Sequence, residues 1–228
     1  MLFRSWRGTA ATVVMPENAP PVKIAAVRGY GAEVVLCEPT LDARETTLAQ
    51  VVGETGATLV HPYNDPMVIA GQGTAALEFL EQAELDVIIA PVGGGGLLSG
   101  TAVSVQALAP AVLVYGAEPS AVDDAYQSLA AGERMPAPTG TSIADGLLTA
   151  LGDNTFPIIR DHVAGIMTVS EEAIASAMRL IWERTKLVVE ASAAVSLAAL
   201  LANREDFSGK RVGIVLSGGN VDLDRLPW

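Results

Sequence analysis

Short apolar, β-branched runs alternate along the chain with longer stretches rich in Ala and Leu. The runs are Ala11–Met15, Glu33–Leu36, Thr58–Val60, Asp86–Val92, Val112–Ala117, His162–Val169 and Arg211–Leu216. Several are apolar without interruption, the pattern of parallel strands covered on both faces. The stretches between them predict helices. Pro21–Tyr30 is closed by Gly31, and Leu41–Thr55 opens after Thr40 and is closed by Gly56. Thr74–Ala83 and Leu98–Leu108 each follow a glycine-rich turn. Ala173–Lys186 begins behind a capping Ser170 and the acids Glu171 and Glu172, which suit a helix N-terminus. Ser192–Asn203 is small and apolar enough to lie buried. Strand and helix in alternation predict an α/β fold, doubly wound.

The segment His61–Pro66 holds two prolines, an Asn and an Asp, which break any periodic element. A small domain over 1–64 and a larger one over 65–228 are therefore expected. Gly132–Thr141 reads as a polar loop, and no internal repeat or low-complexity tract is present.

Composition narrows the function. Half of the 228 residues are hydrophobic, ample for a core. Acids outnumber bases 26 to 14, and no cluster of Lys and Arg exists to hold a phosphate backbone, which argues against nucleic acid as a partner. The acids are dispersed, as on an ordinary soluble surface. No apolar run reaches the ~18 residues of a membrane span. The start Met1–Arg7 lacks the long apolar core of a signal peptide. Cys37 is the only cysteine, which excludes an internal disulfide or a multi-cysteine zinc site and suits a reducing cytoplasm.

Three segments carry candidate chemistry. The strand Asp86–Val92 runs into Gly93, Gly94, Gly95 and Gly96 and then a helix. Glycines let the backbone approach an anion, and a helix N-terminus aims free N–H groups at it, so this reads as a phosphate cradle. A dinucleotide fingerprint would need glycine where Leu98 stands, and a P-loop would need Gly-Lys-Ser/Thr, which is absent. A tight turn without a ligand is the plain alternative. Second, Arg211–Leu216 ends in Ser217, Gly218, Gly219 and Asn220, where Ser217 could bond a heteroaromatic nitrogen or a phosphate, or simply sit in a turn. Third, Glu118 at a strand end and Asp124 soon after could share a hard cation with a main-chain carbonyl. Equally, they could be acids dressing a helix N-terminus.

Jointly these residues resemble the serine/threonine dehydratase and serine racemase group of pyridoxal-phosphate enzymes. The matching stretches are Met15–Glu17, Gly29–Glu33, His61–Pro66, Ala70–Thr74, Pro91–Leu97, Ala117–Ser120, Ser142–Gly146, Trp182–Arg184, Glu190 and Leu216–Asn220, in order over nearly the whole chain. The resemblance implies a fold of open, mostly parallel sheets with helices on both faces, like the tryptophan synthase β chain, with a large domain and an incomplete small one. It assigns Gly93, Gly94, Gly95, Gly96 and Leu97 to the 5′-phosphate of pyridoxal phosphate, Ser217 to its pyridine nitrogen and Glu190 to the ring's surroundings. Glu118, Asp124 and the carbonyl of Val122 match a divalent-cation site, for Mg2+ or Ca2+. The implied reaction is dehydration or racemisation of a small hydroxy amino acid. The implied setting is the cytoplasm, without nucleic acid or membrane, in a homo-oligomer (a dimer if complete).

The resemblance also sets an expectation of what is missing. The family's Schiff-base lysine lies between Ser-Phe or Ser-Tyr and Arg-Gly-Ala, and its acid/base serine in Ser-Ser-Gly-Asn-His. Neither motif occurs here, so no catalytic residue is assigned, and Trp6–Ala10 has no lysine before Arg7. The three lysines read as an exposed helix position (Lys23), a cation at a helix C-terminus (Lys186) and a surface residue before the last strand (Lys210). In the racemase branch the residue matching Lys186 helps bind a nucleotide effector. The expectation is an N-terminally truncated member, from a misplaced start, a frameshift or an incomplete gene, with the unusual Leu2–Arg7 motivating the frameshift version. It would be inactive as this chain and poorly stable, with apolar edges bared. Alternatives are a non-catalytic subunit or sensor for a phosphate-bearing ligand, and a fragment that binds nothing.

Overall fold

The computed structural model describes residues 6–137 and 139–228, with Leu41 described by its backbone alone, and divides the chain into two units, Met1–Leu59 and Val60–Trp228. Met1–Ser5, on which the signal-peptide and frameshift expectations bear, and Pro138 of the polar loop fall outside the described residues.

The first unit follows the order β1 (Thr12–Pro16), α1 (Pro21–Gly29), β2 (Glu33–Cys37), α2 (Leu41–Thr55). The two strands pair in parallel, Thr12 opposite Glu33 and Pro16 opposite Cys37. Cys37 is buried, and its thiol faces the carbonyl of Met15 at 3.6 Å. Helix α2 starts where the Thr40 hydroxyl accepts the Ala43 N–H at 3.1 Å and stops at Gly56, whose φ of 64° is left-handed. Two expectations need correction. Thr58–Val60 is irregular and exposed rather than a strand, because β-branched residues form one only where a neighbour pairs with them. Lys23 is half-buried on α1 rather than exposed.

The second unit contains α3 (Pro66–Gln82), β3 (Val87–Pro91), α4 (Gly96–Leu108), β4 (Leu113–Pro119), α5 (Asp124–Ala131), α6 (Thr155–His162), β5 (Gly165–Val169), α7 (Glu171–Thr185), α8 (Ala191–Ala202) and β6 (Val212–Ile214). Its four strands are ordered β5-β4-β3-β6, all parallel. Along β3 the side chains divide between two cores. Val87 and Ile89 join Ile174, Met178 and Val195 of α7 and α8. Ile88, Ala90 and Val92 join Ala76, Leu98, Val105 and Ile159 of α3, α4 and α6. Helices therefore cover both faces, which explains the uninterrupted apolar run. Each fully buried Ile or Leu contributes about 1.5–3 kcal/mol.

Two boundaries differ from the pattern. Helix α3 begins at Pro66, not Thr74, and its first turn is capped by Asp65, which accepts the Met67 N–H at 2.7 Å. The glycines read as a turn, Gly71 and Gly73, lie inside this helix. Gly73 meets Gly100 of α4, where an added Cβ would strike backbone atoms of the opposing helix. Gly73 and Gly100 thus allow close helix packing, whereas Gly71 has nothing within 4 Å of its Cβ position. The strand expected from His162 starts only at Gly165, because 155–162 forms α6, with Arg160 and His162 favourably placed in its last turn. Helix α5 was not predicted from the pattern.

Candidate functional site

Parallel order places every candidate motif of the second unit at one edge. The glycines follow β3, Glu118 lies at the end of β4, and Ser217 follows β6, so all stand at the carboxyl ends of adjacent strands. Strands β4 and β5 lie to one side of β3 and β6 to the other. The order therefore reverses between β3 and β6, where open α/β sheets form their ligand crevice.

The loop Gly93–Gly96 is buried. The ladder ends with the Val92 N–H on the Ala117 carbonyl at 2.9 Å, and the helix begins with the Ser99 N–H on the Gly95 carbonyl at 2.8 Å. Between them, the N–H groups of Gly93, Gly94, Gly95, Gly96 and Leu97 find no acceptor among the described residues. Protein packs tightly against the loop. A Cβ on Gly94 would strike the Tyr63 ring, and one on Gly95 would lie 2.8 Å from Ile159 and Leu151. Gly95 also has a φ of 87°, which favours glycine. Five consecutive free N–H groups at the N-terminus of a 13-residue helix suit an anion, above all a phosphate.

Ser217 is exposed at the end of the last strand, which is extended by the Val215 N–H on the Ile89 carbonyl at 2.9 Å. The Glu190 N–H donates to the Gly218 carbonyl at 3.1 Å, and a Cβ on Gly218 would strike the Glu190 carboxylate. The structure thus brings Glu190 against the Ser217 turn. Trp182 supports this arrangement by donating its indole N–H to the Val189 carbonyl at 2.9 Å.

Glu118 is 0% exposed. Its two oxygens accept the N–H groups of Ala125 at 3.1 Å and Tyr126 at 3.0 Å, so it caps α5. Burial pushes its pKa up to about 8 against the pull of those two N–H groups, and the nearby charges of Asp124 and Asp123 add to the rise. Asp124 is also buried. Burial raises it to about 7, although the N–H groups of Asp124 itself and Leu151 lie close enough to lower it. Neither Asp124 oxygen accepts a well-formed hydrogen bond among the described residues. Capping accounts for Glu118 but leaves Asp124 unexplained. The Val122 residue between them is buried.

The two lysines of the second unit stand elsewhere. Lys186 is exposed just past the end of α7, in the left-handed region at φ 65°, and its ammonium donates to the Glu183 carbonyl. Lys210 is exposed before β6, at the amino edge of the sheet, opposite the glycine loop.

Pattern reading missed the residues behind the loop. Tyr63 belongs to a segment read as a domain break and as one of the family-like stretches, with no role given to its ring. That segment is pinned by His61 Nδ1, which accepts the Asn64 N–H at 2.9 Å, and by Asn64, whose side-chain oxygen accepts the Asn154 N–H at 2.8 Å. Thr155 was not singled out at all, although its hydroxyl donates to the Gly94 carbonyl at 2.8 Å.

Residues 5–218 match a family described as pyridoxal-phosphate dependent enzyme. The chain belongs to that family. Over 223 residues it is 50% identical to a beta-hydroxyaspartate dehydratase from Paracoccus denitrificans (strain Pd 1222), covering 97% of this chain and 71% of the relative. It is 50% identical over 228 residues to the serine racemase of Homo sapiens, covering 97% of this chain and 67% of that one. The crystal structure of a threonine deaminase from T.th. superposes with a TM-score of 0.90 at 48% identity, over 97% of this chain and 73% of that one. The α/β fold of parallel sheets and two-sided helices is that of this pyridoxal-phosphate family.

The residues present fit the family's cofactor. Its phosphate dianion matches five unsatisfied N–H groups, and its aromatic ring nitrogen matches a hydroxyl on the adjacent strand end. Among the described residues no group of three His, Cys, Asp or Glu side chains is placed to hold a metal ion by itself. A cation at Glu118 and Asp124 would therefore also need main-chain or water oxygens. Among the described residues no helix is long and apolar enough to cross a membrane.

Proposed function

We propose that this chain binds pyridoxal 5′-phosphate at the β3/β6 crevice and belongs to the branch acting on small hydroxy amino acids by dehydration or racemisation. The observation that carries this reading is the row of five unpartnered N–H groups from Gly93 to Leu97 at the start of α4. The 50% identity to a beta-hydroxyaspartate dehydratase and to a serine racemase supports the substrate class.

In this reading the N–H groups of Gly93, Gly94, Gly95, Gly96 and Leu97 hold the phosphate. Ser217 offers its hydroxyl to the ring nitrogen, and a neutral partner there leaves that nitrogen unprotonated. Glu190, tied to the Ser217 turn through the Gly218 carbonyl, borders the ring. When bound, the cofactor delocalises charge that develops at the substrate α-carbon. Glu118, Asp124 and the Val122 carbonyl hold Mg2+ or Ca2+, which would compensate two buried carboxylates and fix the end of β4 to the start of α5. All of these contacts fall within 65–228, read as the cofactor domain. Lys186 is engaged at its own helix end and Lys210 lies at the opposite sheet edge. Neither offers an amine to the site, so binding here rests on phosphate and ring contacts. The single cysteine supports a reducing cytoplasmic setting, and a dimer is proposed on the family resemblance.

Titrating the purified chain with pyridoxal phosphate, with inorganic phosphate as competitor, tests the reading. Saturable, phosphate-competed binding without borohydride trapping at Lys186 or Lys210 is expected. Ammonia release from serine, threonine and 3-hydroxyaspartate is assayed in parallel. Binding without turnover supports a phosphate-ligand-binding subunit. Absence of binding contradicts the proposal.

A further inference from the structure

The glycine loop presents donors only if its peptide planes face one way. The 94–95 peptide lies between two glycines, so no Cβ hinders rotation of that plane through Gly94 ψ and Gly95 φ. One orientation aims an N–H at an anion, and the reverse aims a carbonyl oxygen, which repels it. Something in the fold must select between them.

We infer that Thr155 is the lock that selects the donor-out orientation, a positioning residue for the phosphate site; this rests on the cofactor reading above. Thr155 is 0% exposed. Its hydroxyl donates to the Gly94 carbonyl at 2.8 Å and accepts the Gly152 N–H at 2.8 Å. The Gly152 carbonyl is further away, at 3.3 Å, so the single hydroxyl proton goes to Gly94. Among the described residues no peptide is cis. In a trans peptide the N–H of Gly95 points opposite to the carbonyl of Gly94. Holding that carbonyl against Thr155 therefore turns the Gly95 N–H toward the face where its neighbours are also unpartnered. Thr155 is itself held. Its carbonyl accepts the hydroxyl of Ser99, on the first turn of α4, at 3.3 Å, and a Cβ on Gly95 would lie 2.9 Å from its own Cβ. The hydroxyl is needed rather than bulk, because an isosteric apolar side chain would fill the space yet leave the Gly94 carbonyl buried and unbonded.

The test compares wild type, T155V and T155S for binding of pyridoxal phosphate and of pyridoxal, which lacks the phosphate. T155V is expected to bind pyridoxal phosphate roughly tenfold more weakly, the effect of losing the buried hydrogen bond to the Gly94 carbonyl. Pyridoxal affinity should stay unchanged, and T155S should restore the phosphate preference. A purely structural role would instead weaken both probes alike, and that result overturns the lock. So does a T155V chain that keeps its preference. If wild type binds the two probes equally, the phosphate-site reading fails and the lock fails with it. Should T155V not fold, the Gly95 amide resonance of wild type decides. It must shift on adding pyridoxal phosphate, and an unmoved Gly95 between shifted neighbours overturns the inference.

Discussion

Glu118 and Asp124 are buried carboxylates whose protons are held unusually tightly, at pKa values of about 8 and about 7. The unfolded chain releases those protons near the ordinary carboxylate values, around pH 4. Between about pH 4 and 8 the folded chain thus binds more protons than the unfolded one, and stability falls as pH rises through that window. A divalent cation would replace the protons as the compensating charge. The urea midpoint is therefore expected to drop from pH 5 to pH 8 in chelator, and to drop less with millimolar Mg2+ or Ca2+. D124N should abolish the cation effect. A cation-independent midpoint would count against the metal assignment. Asp86 has the opposite sign. Side-chain and backbone hydrogen bonds from Arg211 hold it down to about 2, but the pair is exposed and contributes little. At this scale the sequence made Gly93–Gly96, Ser217 and the two acids legible, since each is a local signal after a strand. Thr155 was illegible because its partner Gly94 lies 61 positions away and a lone threonine carries no motif.

At the scale of elements, long apolar strands and the capped helices α2 and α7 were legible from periodicity and end signals. The start of α3 was not, since glycine reads locally as a turn and its packing use emerges only beside α4. A Cβ on Gly100 would strike the Ile69 carbonyl and the Gly73 nitrogen, backbone atoms that cannot swing aside. Gly100→Ala should therefore cost about 1–3 kcal/mol through forced helix separation. Gly53, also in a helix, has nothing within 4 Å of its Cβ position, so Gly53→Ala should stabilise by about 0.5–1 kcal/mol. Urea unfolding of the two variants checks the contrast. Equal effects would mean that propensity, not helix contact, governs Gly100. Helices α5 and α6 were missed because eight residues give barely two turns of pattern.

For the whole molecule, parallel order turns motifs dispersed over more than a hundred residues into one edge. The glycine turn, Glu118 and Ser217 occupy the carboxyl ends of β3, β4 and β6, with the crevice where the order reverses. Alternation of strand and helix predicted that class of architecture, while strand order and the buttress behind the glycines required the fold itself. The central claim is that the loop at the start of α4 receives the cofactor's phosphate. The most direct measurement is a backbone amide map of the chain on addition of pyridoxal phosphate. The expected result is large shifts at Gly93, Gly94, Gly95, Gly96 and Leu97, with Gly132 and Gly209 unmoved. Binding that leaves those five amides in place would contradict it.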